Sequence, residues 1–150
     1  MLQVSATIFE EKIKKIKKDN ETKKCIYCGN ILKNTQTKFC SNYCQQEYSY
    51  ITYIEKWKNG QVDGIRGGDC LSRHLRRYIF EKYNNSCQIC GWNKINQYSN
   101  TVPLEIHHID GNCLNNKEDN LQLLCPNCHS FTINNKSLNK KSQRNRKKIL

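Results

Sequence analysis

The chain has 150 residues, 37% of them apolar and 25% charged, with a mean hydropathy of −0.84 and a formal net charge of +12. That is length for one compact domain or two small ones, with too little apolar material to secure either without a staple. No run is long and apolar enough to span a bilayer, and MLQVSATIFEEK lacks the basic start and apolar stretch of a secretory leader, so a membrane protein and a disulfide-stapled secreted domain are set aside and a cytoplasmic setting is expected.

Residues 1–24 form a basic N-terminal segment in which Phe9, Ile13 and Ile16 recur at helical spacing among lysines. This reads as a short basic helix lying on nucleic acid or as a solvated lead-in. Residues 25–58 follow as a zinc module. Cys25-x2-Cys28 and Cys40-x3-Cys44 are close thiol pairs separated by eleven residues, and reduced thiolates chelating one ion suit such spacing. The glycine after Cys28 fits the tight turn of a zinc knuckle. Cys44, Tyr48, Ile51 and Ile54 then mark one face of a helix. The unit resembles treble-clef-like zinc modules. Its tyrosines at 43, 48, 50 and 53 are suited either to stacking on bases or to core and rim positions.

Residues 59–69, NGQVDGIRGGD, hold four of the seven glycines and read as a linker. Beyond it, Ser72 is a candidate N-cap for a helix whose apolar side carries Leu71, Leu75, Ile79 and Tyr83. Arg73, Arg76 and Arg77 fall largely elsewhere on that helix, as a phosphate-binding stripe or a solvated face.

A second set of thiols, Cys87-x2-Cys90 and Cys125-x2-Cys128, brackets 34 residues, far more than a simple finger needs. Within them lie a strand at Leu104 to Ile109, a polar loop, and a second apolar run, Leu121 to Leu124; a helix is expected after Cys128, with Pro126 near its first turn. Cys70 and Cys113 are left as unpaired thiols. Residues 136–150 form a polar, basic tail fit to track a phosphate backbone. Two four-thiolate sites would each be a net dianion, and the chain stays basic after that correction, which points to a nucleic-acid partner.

The run CQICG…LEIHHIDGN…NNKEDNLQLLCPNCHS, covering about residues 70–135, resembles the HNH endonuclease family in its four-cysteine variety, and the whole layout resembles small bacteriophage HNH proteins with an N-terminal zinc module. The resemblance implies an α+β chain of small zinc-stabilised domains: a ββα-metal (His-Me finger) nuclease core plus the N-terminal module. It implies a metal-dependent endonuclease acting on double-stranded DNA, in a bacterial or phage-infected cytoplasm. His108 takes the place of the general base, Asn120 that of the asparagine orienting it, and His107 and His129 those of the ligands to one catalytic divalent ion (Mg²⁺, Mn²⁺ or Ni²⁺), beside two structural Zn²⁺. The chain departs from the pattern in having His107 where many relatives are acidic, and Ile133 where some carry a further histidine. A regular strand would send adjacent His107 and His108 to opposite faces and make Asp110 a competing ligand. The alternative function is a non-catalytic zinc protein that binds nucleic acid.

Overall fold

The computed structural model describes residues 23–33, 35–66, 71–135 and 138. The expected basic helix up to residue 22, the end of the linker and most of the tail lie outside them. The described residues fall into two compact units, divided after Val62.

The first unit opens on a knuckle. Lys24 and Ile31 pair as an antiparallel bridge. The Cys25 N–H donates to Asn30 O and the Gly29 N–H returns to Cys25 O, both at 2.8 Å. That return requires a left-handed residue, and Gly29 sits at φ 77°. Helix α1 spans Asn42–Lys58; the Ser41 hydroxyl accepts from the Cys44 N–H at 3.2 Å and so satisfies one donor of its open first turn. Its end is a Schellman closure: Gly60 N–H bonds Trp57 O and Gln61 N–H bonds Lys56 O, with Gly60 at φ 70°. The expected apolar face is wider than its sequence period suggests. Cys44, Ile51 and Ile54 are buried together with Glu47, Tyr50 and Trp57, whereas Tyr48 is half-buried against Phe39, ring centroids 5.4 Å apart.

In the second unit, helix α2 spans Arg73–Lys82 and is capped by Ser72, whose hydroxyl accepts from Leu75 N–H at 3.2 Å. Leu75 and Ile79 are fully buried; the third inward position is Tyr78, while Leu71 and Tyr83 remain half-buried. Tyr78 earns that place through its hydroxyl, which donates to Glu118 Oε1 at 2.8 Å, where Lys82 Nζ also bonds at 2.6 Å. Glu118 opens the short 3-10 turn Glu118–Asn120, so these contacts fasten α2 to the entrance of the next strand.

Strands β1 (Glu105–His108) and β2 (Leu121–Leu124) form a two-stranded antiparallel sheet, with Ile106 opposite Leu123 and His108 opposite Leu121. Two strands alone are marginal in water. Here the second knuckle adds a partner: Gln88 donates its N–H to Leu123 O at 2.9 Å and accepts the Leu123 N–H on Oε1 at 2.6 Å. Helix α3, Pro126–Ser130, starts before Cys128 rather than after it. The Cys125 sulfur itself caps it, accepting from the Cys128 N–H at 3.4 Å, and Pro126 fits the first position because its missing N–H would be unpaired there anyway. No helix among the described residues is long and apolar enough to cross a membrane.

Candidate active site

Two thiol clusters assemble from the eight paired cysteines. Cys25, Cys28, Cys40 and Cys44 bring their sulfurs within 4.8 Å of one another, and so do Cys87, Cys90, Cys125 and Cys128. Tetrahedral zinc with Zn–S near ~2.3 Å places its sulfurs about 3.8 Å apart. Cys90 and Cys125 stand at 3.8 Å, and Cys40 lies 3.4 Å from both Cys28 and Cys44. Sulfurs that close, with no disulfide joining them, fit a zinc ion better than four neutral thiols. In each cluster the first cysteine is primed as a thiolate. Burial opposes the charge on Cys25, but backbone N–H donors of Cys28, Cys40 and Tyr27 outweigh it and bring the thiol down to about 6. Cys87 is likewise opposed by burial and likewise lowered to about 6 by the N–H groups of Cys125, Cys90 and Ile89.

Between the second pair of knuckles β1 pairs in regular register with β2 up to His108, its last residue before the turn. His107 is buried at 7% exposure on the face that also carries Glu105. Helix α3 brings His129 to that face, its ring 5.1 Å from the His107 ring at an edge-on 63°. His129 donates from Nδ1 to Glu105 Oε2 at 2.6 Å. That carboxylate fixes the tautomer and leaves Nε2 with its lone pair outward. Burial, then the neighbouring His129 and His108, push the His107 imidazole below its ordinary value and keep it neutral, the form that binds metal.

His108 ends β1, close enough to His107 to act on its imidazole. Its Nε2 meets Asn116 Oδ1 at 2.8 Å; an amide oxygen only accepts, so Nε2 carries the hydrogen and Nδ1 is left as the basic atom. Asn116 is itself buried, at 3% exposure.

Asn120 works one step further from the ring. Its carbonyl accepts from Ile109 N–H at 3.0 Å and its Oδ1 from Asp110 N–H at 3.0 Å; its Nδ2 donates to Asp110 Oδ1 at 2.9 Å and to Asn115 O at 2.7 Å. It therefore clamps the backbone that leaves His108 to the backbone that delivers Asn116. Asp110 is the other half of that clamp. Asn115 Nδ2 at 2.8 Å, the Asn112 N–H at 2.9 Å and Asn120 hold its carboxyl down to about 2. Both carboxylate oxygens accept hydrogen bonds inside the loop, so Asp110 fastens it.

Arg73, Arg76 and Arg77 are all exposed on α2. Arg77 pairs with Glu81 at 2.7 Å, and the Arg76 guanidinium lies 4.9 Å over the Phe80 ring, which holds both side chains along the helix. Two partners in the site escaped the sequence reading. Glu105 had a signal, since it precedes His107 by two residues and a strand must place both on one face. Asn116 lies in the polar loop, and its spacing from His108 carries no periodicity.

Residues 87–132, within the second unit, match the HNH endonuclease family. The chain is also 37% identical over 82 residues to the H-N-H endonuclease F-TflIV of Escherichia phage T5. That match takes in 53% of this chain and 35% of the relative, so the chain spans about a third of the relative's length. No solved structure matches the chain.

Proposed function

We propose that the chain is a metal-dependent DNA endonuclease hydrolysing phosphodiester bonds, with His108 as general base, His107 and His129 as ligands to one divalent ion, and two structural zincs. The observation that carries the reading is the pairing of each outward imidazole with a fixed partner: Glu105 behind His129 and Asn116 behind His108. Buried or strand-borne histidines in a purely structural role have no need of such aimed, free nitrogens. In this reading the finer fold is the ββα-metal core, and the N-terminal unit is a treble-clef-like module.

His108 Nδ1 takes the proton of the attacking water as its oxygen adds to phosphorus, and Asn116 holds the ring in that orientation. The P–O3′ bond breaks opposite the incoming oxygen, leaving 3′-hydroxyl and 5′-phosphate ends. When bound, the divalent ion supplies charge neutralisation at the phosphate and at the departing oxygen. Two imidazoles are softer donors than carboxylates, so Mn²⁺ or Ni²⁺ suits the pair at least as well as Mg²⁺. Asn120 is a positioning residue that keeps the loop from displacing Asn116. Arg73, Arg76 and the basic tail hold flanking phosphates, with Arg77 joining once Glu81 releases it. Double-stranded DNA in a bacterial or phage-infected cytoplasm is the partner that this basic surface suits.

The test is nicking of supercoiled plasmid in EDTA, Mg²⁺, Mn²⁺ or Ni²⁺, beside His108→Ala. Metal-dependent open circle from wild type, reduced about a hundredfold or more in the variant, is expected. No cleavage with any of these ions, from protein that holds two zincs and binds DNA, would move the assignment to a zinc-containing binding protein.

A further inference from the structure

Single apolar side chains on a surface are ordinary, but three of them occupy related places around the histidines. Phe131 is 89% exposed, Ile133 81% and Ile109 49%. Ile109 stands two residues after His107 and Phe131 two residues after His129, so each outward-leading segment continues into an exposed apolar side chain. The two segments are tied together: Asn134 Nδ2 donates to Ile109 O at 2.8 Å. The turn that carries Phe131 and Ile133 is also held by hydrogen bonds. The Phe131 N–H bonds Cys128 O at 3.3 Å, Thr132 Oγ1 donates to His129 O at 2.8 Å, and Asn135 N–H bonds Thr132 O at 3.2 Å.

We propose that Phe131 and Ile133, flanked by Ile109, form an apolar wedge that enters the base stack of DNA beside the scissile phosphate. The occupant follows from position and charge. A phosphate brought to His129 places its own sugar and bases within the reach of the next turn of chain, and the surroundings are basic, with a net charge of +12 and a lysine- and arginine-rich sequence downstream. Nucleic acid is the partner that is anionic outside and offers flat apolar faces within; a wedge inserted between two bases exchanges stacking for protein contact and kinks the duplex. Opening the strand there also loosens the backbone around the bond to be cut. The inference rests on the nuclease reading for the location of the phosphate.

The experiment uses the full zinc-loaded chain carrying His108→Ala, so that DNA is bound but not cut. Closed circular plasmid is incubated with it, relaxed by a topoisomerase and resolved by gel. Unwinding by the His108→Ala protein, lost when Phe131→Ala and Ile133→Ala are added, is expected. A roughly tenfold weaker affinity for a short random-sequence duplex should accompany that loss, at unchanged zinc content. Equal unwinding with and without the wedge residues overturns the proposal. So does a shift from dimer to monomer on sedimentation, with DNA binding intact, since the patch would then seat a second copy of the chain. Phe131-dependent unwinding by a wild-type chain that never nicks would keep the wedge and remove the nuclease reading.

Discussion

The two four-cysteine sites are near copies that do different work. In each, the first cysteine N–H bonds the carbonyl five residues on, and the glycine after the second cysteine bonds back: Cys25 to Asn30 and Gly29 to Cys25, Cys87 to Trp92 and Gly91 to Cys87. In each, the fourth cysteine is the third residue of a helix. The difference lies in what the clasp encloses. Eleven residues separate Cys28 from Cys40, whereas 34 separate Cys90 from Cys125 and contain β1, the asparagine loop and β2. The residue after the fourth cysteine is Gln45 in one and His129 in the other. The two clasps thus share their closure and differ in the segment enclosed and in one position on the helix beyond.

The hardest way to break this comparison is to remove one clasp at a time. Cys125→Ser should release one zinc and abolish nicking, because the hairpin loses its closure. Cys25→Ser should release the other and leave nicking within about tenfold of wild type, since the first unit contributes none of the proposed site residues. Zinc content by atomic emission beside plasmid nicking reads both, and equal losses of activity would show that the clasps are not independent.

Next in size is the partner that sets the second helix apart. Glu105→Ala should weaken Mn²⁺ binding, measured by calorimetry, by about ten- to a hundredfold, as loss of an outer hydrogen bond to a metal-binding histidine does elsewhere. Glu105→Gln, which still accepts from Nδ1, should recover part of that loss. The imidazole nitrogen shifts of His129 in metal-free protein should report the tautomer change directly in the alanine variant.

The smallest expected effect concerns the tether joining α2 to the site. Burial works against the Lys82 charge, but the hydrogen bond to Glu118 prevails and the ammonium is held above its ordinary value. A cation with a raised folded-state value contributes fully below its unfolded value and loses that contribution as pH rises through the folded one. Glu118→Gln should therefore cost about 1 kcal/mol in urea unfolding at neutral pH, and the difference should shrink in strongly alkaline buffer. A constant difference across that range would assign the effect to Tyr78 rather than to Lys82.

Much of this was legible from residue spacing. Four thiol pairs gave both clusters, two apolar runs either side of a polar loop placed both strands, and Ser72 marked the start of α2. What spacing could not supply was contact across distance. Tyr78 and Glu118 are forty residues apart, and nothing local shows that a tyrosine on α2 belongs inside. The start of α3 was missed by three residues because a thiol is not an ordinary helix cap, and here Cys125 serves as one. Asn116 was one of several loop asparagines until the fold set it behind His108. Local pattern declares elements and metal clasps; the aim of a side chain is settled by a partner the pattern does not reach.

The long enclosure also sets an order of assembly. An open chain must bring Glu105 to Leu124 across the asparagine loop and, for His129 to arrive, must also close the 34 residues between the knuckles. Closing that outer ring costs entropy that a two-stranded ribbon repays poorly on its own. Zinc bound by the four thiolates would offset that cost and leave β1, β2 and α3 to come together over short distances. If the proposed nuclease reading holds, the histidine site would be the last part of the chain to form, and the supply of zinc would decide when a newly made chain becomes able to cut.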